Sequence, residues 1–167
     1  MNFISKMKIP KPEQLRHHQF IFIEAPIDIV AELALEWGNS LWWPTDSQMK
    51  FVPIQTHPLE IGKQYRLEIK TPLKLGAQLE ITQYTPRQFV QHTFCAGALI
   101  GQQQIALEER SNGTRLDYKI EYRVRGIINI VAWILYYEKK FQSGLGIILE
   151  TIKNYSEKIY QERQETV

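Results

Sequence analysis

The side chains with the most chemical scope in this chain are Tyr65, Tyr118, Tyr122, Gln91, Gln103 and Glu138. A tyrosine hydroxyl can orient a bound molecule, and beside a carboxylate such as Glu138 it can take part in proton transfer. Their placement follows from strand parity, since alternate residues share a face. Tyr65 goes with Leu67, and Tyr118 and Tyr122 go with Ile120. Gln103 goes with Leu99, Ile105 and Leu107, on a face expected to be buried. Gln91 shares parity with Phe89 and Cys95, but Val90, His92 and Phe94 leave that strand open. Inward tyrosines are mostly core residues whose hydroxyl reaches an edge. Gln103 asks for more, because burying an unpaired amide costs roughly 1–3 kcal/mol. It must bind backbone or water, or address a ligand. Trp42 and Trp43 either gate a cavity mouth or cover the core. Asp46 and Arg123 add charge, with no second group at an interpretable spacing.

Other chemistries lack their residues. There is no CxxC, HExxH or Walker pattern, and Gly144-Leu145-Gly146 lacks the later glycine and preceding strand of a dinucleotide fingerprint. His17 and His18 are adjacent, so on a strand they point to opposite faces. His57 and His92 have no ligand partners at recognisable spacing, and all four histidines are taken as surface or loop residues. Cys95 reads as a small buried thiol. No metal and no cofactor is expected.

The element that must position these groups is a long helix over residues 129–163, free of proline. Ile134, Phe141, Leu145, Ile148, Ile152, Tyr155 and Ile159 form its apolar seam, with steps of three and four after Ile134. Gly144 and Gly146 lie inside it and predict a kink or a boundary between two helices, or else room left for a ligand or a close backbone. Glu138 falls on the seam, but drift from a seven-residue repeat lets Tyr137 take the inward place and leaves Glu138 at the border. Before this helix the chain predicts a strand over residues 18–25, a short helix over 27–36 and a tryptophan-dense loop over 37–46. Strands follow over 49–56, 64–70, 77–83, 88–95, 99–109 and 116–125. Leu79 and Ile81 share a face of one of them. Asn112-Gly113 predicts a primed two-residue hairpin turn. The clean alternation fits antiparallel strands with one buried face. The fold class is α+β, one domain over residues 15–167 after a lysine- and proline-containing arm over 1–14.

The chain has 167 residues, 44% of them hydrophobic and 23% charged, which suits an ordinary globular domain. A formal net charge of +2 is too weak a bias to argue for nucleic acid. The single cysteine excludes an intrachain disulfide and suits a reducing cytoplasm. No secretory signal is legible at the N-terminus. Residues 127–137 are apolar on nearly all sides yet shorter than the ~20 residues that span a bilayer.

The layout resembles the helix-grip fold of the START-like, polyketide cyclase/dehydrase (SRPBCC) superfamily over most of the chain after Leu15. The marks are Glu24-Ala25-Pro26 closing the first strand, Trp42-Trp43-Pro44, Ile61-Gly62-Lys63, Tyr84-Thr85-Pro86-Arg87-Gln88-Phe89 at a corner, and Asn112-Gly113-Thr114-Arg115-Leu116 at a hairpin. The resemblance implies a curved antiparallel sheet wrapped around a long C-terminal helix, with an apolar cavity between them. Its members bind lipids, polyketides, quinones, sterols or hormones, and a minority are enzymes. The leading expectation is binding of a hydrophobic or amphipathic small molecule. Pocket candidates are Trp42, Trp43, Tyr65, Leu67, Leu79, Ile81, Gln91, Gln103, Tyr118, Tyr122, Ile134, Tyr137, Glu138, Phe141 and Leu145. One alternative is a cyclase or dehydratase using a tyrosine or Glu138. Another is a membrane-surface partner presenting residues 127–137 and the basic arm, which an exposed Trp133 would favour.

Overall fold

The alternating stretches form seven strands in the computed structural model, which describes residues 14–70 and 75–165. They are β1 (Leu15–Ile23), β2 (Met49–Pro53), β3 (Gln64–Ile69), β4 (Gly76–Thr85), β5 (Phe89–Gly97), β6 (Leu99–Arg110) and β7 (Gly113–Val124). All pairs are antiparallel, in the order β1-β7-β6-β5-β4-β3-β2. α1 (Ile27–Ala34) follows β1, with Pro26 as N-cap and Asp28 in the first turn, where a fixed φ and a negative charge both suit a helix start. Residues 1–13 of the expected arm lie outside the described residues.

One face of the sheet is buried, as strand parity requires. Tyr65, Leu67 and Ile69 point inward from β3, and Leu116, Tyr118, Ile120 and Tyr122 from β7. β5 resolves an open case. Val90, His92 and Phe94 point inward, while Gln91 faces outward and bonds Thr82 Oγ1 and Gln104 Nε2. The pocket assignment of Gln91 is therefore corrected. His92 is buried rather than a surface residue, and Cys95 is exposed rather than buried. Cys95 is the extra residue of a bulge opposite the Gln78–Leu79 step, and its burial was expected from residue type and not from alternation.

Residues 127–165 form one helical run of 39 residues: α2 (Ile127–Ala132), a wide π turn (Trp133–Tyr137) and α3 (Glu138–Glu165). The buried positions Trp133, Tyr137, Phe141 and Leu145 recur every four residues. On a 3.6-residue helix each such step drifts by ~40°, and the wider turn absorbs part of that drift. The extra residue rotates everything before it by ~100°, so Ile134 leaves the seam. Ile134 is 55% exposed, which corrects its inward assignment, and Trp133 at 1% takes its place. Tyr137 is buried and Glu138 is half-buried. The helix is not broken at the glycines, since α3 runs through both. A Cβ on Gly144 would stand 3.9 Å from Met49 Cε, and one on Gly146 would meet nothing within 4 Å.

The β6–β7 hairpin turns on Ser111-Asn112, because Arg110 pairs with Gly113. Neither loop residue has positive φ, so the expected primed turn at Asn112-Gly113 is corrected. Gly113 is needed for another reason: a Cβ there would collide with the Ile23 carbonyl oxygen at the end of β1.

Candidate functional site

The site is built where the chain leaves α1 and crosses to β2. Gly38, at φ +90°, turns the loop against Phe51, where a Cβ would collide with that side chain. The Trp42 indole donates to the Leu33 carbonyl at 3.0 Å, and the Trp43 indole donates to the Met49 carbonyl at 2.8 Å. Trp37 packs edge-on against both and stacks on Tyr118, with centroids 5.2 Å apart. Two indole hydrogen bonds thus fix the loop to both elements it joins, and burial of three large rings holds it down.

A cleft of about 560 Å³ opens between this loop and the β2–β3 edge. Its apolar wall includes Trp37, Trp43, Met49, Phe51 and the ring of Tyr65, with Glu36 at the margin. The Tyr65 hydroxyl is buried and has no hydrogen-bond partner; no other buried side-chain nitrogen or oxygen among the described residues is in that position. Burial, and then the negative charge of Glu36, push its phenol pKa up. It therefore stays protonated at neutral pH and is a hydrogen-bond donor with no protein acceptor among the described residues. Glu36 accepts from Lys63 Nζ at 3.0 Å, and that ammonium lies 5.5 Å from the Tyr65 ring centroid.

Behind Tyr65 the polar groups are matched. The His92 ring meets Tyr65 edge-on at 5.5 Å, and burial lowers the His92 pKa to about 3. Tyr118 donates to Gln103 Oε1 at 3.1 Å, so the amide nitrogen is turned to His92 Nδ1 at 3.3 Å. Gln103 Nε2 donates there, which leaves the imidazole proton on Nε2. The amide that asked for a partner has one at each end. Nearer the helix, Trp133 Nε1 donates to the Tyr122 hydroxyl oxygen at 3.2 Å, and His17 Nε2 lies 3.2 Å from the same oxygen. His17 is half-buried; burial lowers its pKa, and Glu138 opposes this.

Of the sequence candidates, Trp43 and Tyr65 line the cleft. Leu67 lines a second groove of about 550 Å³ at the ends of β3, β4 and β5. Trp42, Leu79, Ile81, Gln103, Tyr118, Tyr122, Tyr137, Phe141 and Leu145 are buried in the core. The space between sheet and long helix, expected to enclose a cavity, holds the chain's own rings, with Tyr122, Trp133 and Phe141 in mutual contact. Glu36, Trp37, Met49, Phe51 and Lys63 were not among the candidates. The alternation of Met49 and Phe51 was the signal available for that wall. No carboxylate among the described residues hydrogen-bonds Tyr65, Tyr118 or Tyr122. Nor does any group of three or more His, Cys, Asp or Glu among them stand ready to hold a metal.

No protein-family model matches the sequence, and no curated protein matches it. Solved structures do match. A Thermus thermophilus protein, TTHA0849, is similar with a TM-score of 0.65 at 13% identity, over 86% of this chain and 97% of that one. Ara h 8.0201 is similar with a TM-score of 0.62 at 10% identity, over 86% and 98%. Major latex-like protein 151 from Panax ginseng gives 0.61 at 10% identity, over 86% and 97%. Identities this low speak to the fold. The chain has the α+β helix-grip fold, a curled antiparallel sheet gripping a long C-terminal helix.

Proposed function

We propose that this protein binds a hydrophobic or amphipathic small molecule, of the lipid, polyketide or quinone kind, in the cleft beside Trp43 and Tyr65. The observation that carries this is the cleft walled by Trp37, Trp43, Phe51 and Tyr65, whose buried hydroxyl has no protein partner among the described residues. An isolated buried donor costs roughly 1–3 kcal/mol, which a carbonyl or ether oxygen on a bound molecule would recover. The apolar body of that molecule would lie against Trp37, Trp43 and Phe51, where each Å² removed from water contributes about 25 cal/mol. The same site on one domain of residues 15–167 serves a binding protein better than an enzyme. A tyrosine held protonated cannot act as a base at neutral pH, and Glu36 is held by Lys63. The exposed, free Cys95 suits a reducing compartment such as the cytoplasm.

The test is a titration with a naphthoquinone, read by quenching of tryptophan fluorescence. Wild type should quench saturably, and Tyr65→Phe should bind about tenfold more weakly, the loss of one buried hydrogen bond. Equal affinities would remove Tyr65 from the site. Absence of saturable quenching would reject the quinone class.

A further inference from the structure

We infer that the start of the long helix docks on a bilayer surface containing anionic phospholipid. Ile127, Ile128, Val131, Ile134 and Leu135 fall on one helical face, with Tyr136 at its border, and all six are exposed, Ile128 to 74% and Leu135 to 67%. The opposite face, Ala132, Trp133 and Tyr137, is buried against the domain. Apart from Asn129, which donates to the Arg125 carbonyl, the segment is apolar all round but covered on one side only. A helix in contact with water on that side would carry polar residues there. Trp133, whose exposure was the expected mark of a membrane-facing segment, is buried, so that mark is not met and the contact face is the aliphatic one.

Charge selects the occupant. Arg123 and Arg125 precede the face and Lys139 and Lys140 follow it; all four are exposed, and none forms an ion pair with a described residue. Glu121, on the same strand as Arg123, is taken by Arg16 at 3.0 Å. An apolar centre with a cationic rim matches acyl chains below a layer of phosphates. It matches a second copy poorly. A two-fold contact would set the two cationic rims against each other. Six side chains are also few beside the ~20–30 per partner of a standard interface. No described helix is long and apolar enough to cross a membrane, so the contact lies on the surface. The face also begins at the sheet end where β3 stops and Lys70 enters the cleft wall. A molecule dissolved in the bilayer would meet the cleft from that end. This last link rests on the proposed function; the docking does not.

The test is co-sedimentation of the full chain with phosphatidylcholine vesicles, with and without phosphatidylglycerol. The protein should pellet with the anionic vesicles and be released by salt. Ile128→Asp with Leu135→Asp should abolish pelleting. Lys139→Glu with Lys140→Glu should weaken it by about tenfold or more, with an unchanged circular dichroism spectrum and melting temperature. Tyr65→Phe should pellet like wild type, which separates this surface from the cleft. No pelleting on anionic vesicles, equal pelleting on phosphatidylcholine alone, or pelleting that survives both double variants would overturn the inference. So would light scattering that shows a dimer broken by the aspartate pair.

Discussion

Tyr65 concentrates the account at the scale of single residues. Its hydroxyl is protonated and buried, and no protein group among the described residues accepts its hydrogen bond. Tyr65→Phe should then leave the free protein as stable as wild type, or more stable by about 1 kcal/mol, in urea unfolding. A clear loss of stability would mean that the hydroxyl already has a partner. The buried His92 gives a second prediction. His92 has its folded pKa lowered to about 3 from 6.5, and that of His17 is lowered as well. A base with a depressed folded pKa binds fewer protons when folded than when unfolded, so stability rises with pH through that window. Stability should be fully present above pH 6.5 and fall as pH drops toward about 3, by up to about 1.4 kcal/mol per pH unit from His92. His92→Gln should flatten most of that slope in urea midpoints measured across the range. An unchanged slope would place the acid sensitivity elsewhere. Strand parity alone located the inward Tyr65, Tyr118, Tyr122 and Gln103. It left Gln91 open, because Phe89 and Val90, His92 and Phe94 offer apolar or bulky side chains at both parities, while His92 and Cys95 were placed from residue type alone, which says nothing of the face a strand position occupies.

At the scale of elements the order of strands and helices was legible, because alternation and turn residues are local signals. The phase of the long helix was not. A π turn adds one residue without changing composition, and the only trace is the run of four-residue steps from Trp133 to Leu145. The glycines of α3 were over-weighted, since helix propensity is a weak preference that tertiary packing overrides. With open space around Gly146, Gly146→Ala should raise stability by up to ~1 kcal/mol, and Gly146→Leu should be tolerated in thermal melts. A drop of several degrees for the leucine variant would show that the position is crowded. Gly113→Val should destabilise the domain, through collision with the Ile23 carbonyl rather than through a primed turn. A wild-type melting temperature for that variant would contradict the close approach.

Across the whole molecule, the sheet and long helix close on aromatic side chains, and the opening shifts to the loop that carries the tryptophans. The fold could be recognised from the sequence because loose marks occurred in the right order. The site could not, because Glu36, Trp37, Met49, Phe51, Lys63 and Tyr65 come from three separate stretches joined only by the β2–β3 pairing and the loop crossing. Where a ligand sits is therefore the central claim. It is tested most directly by mapping amide chemical shifts while a naphthoquinone is titrated into the isotope-labelled protein. The account predicts the largest shifts at Trp37, Gly38, Trp43, Phe51 and Tyr65, with little change along α3 beyond Gly144, which faces Met49. Shifts centred instead on Tyr122, Phe141 and Ile148, between the sheet and the long helix, would contradict it.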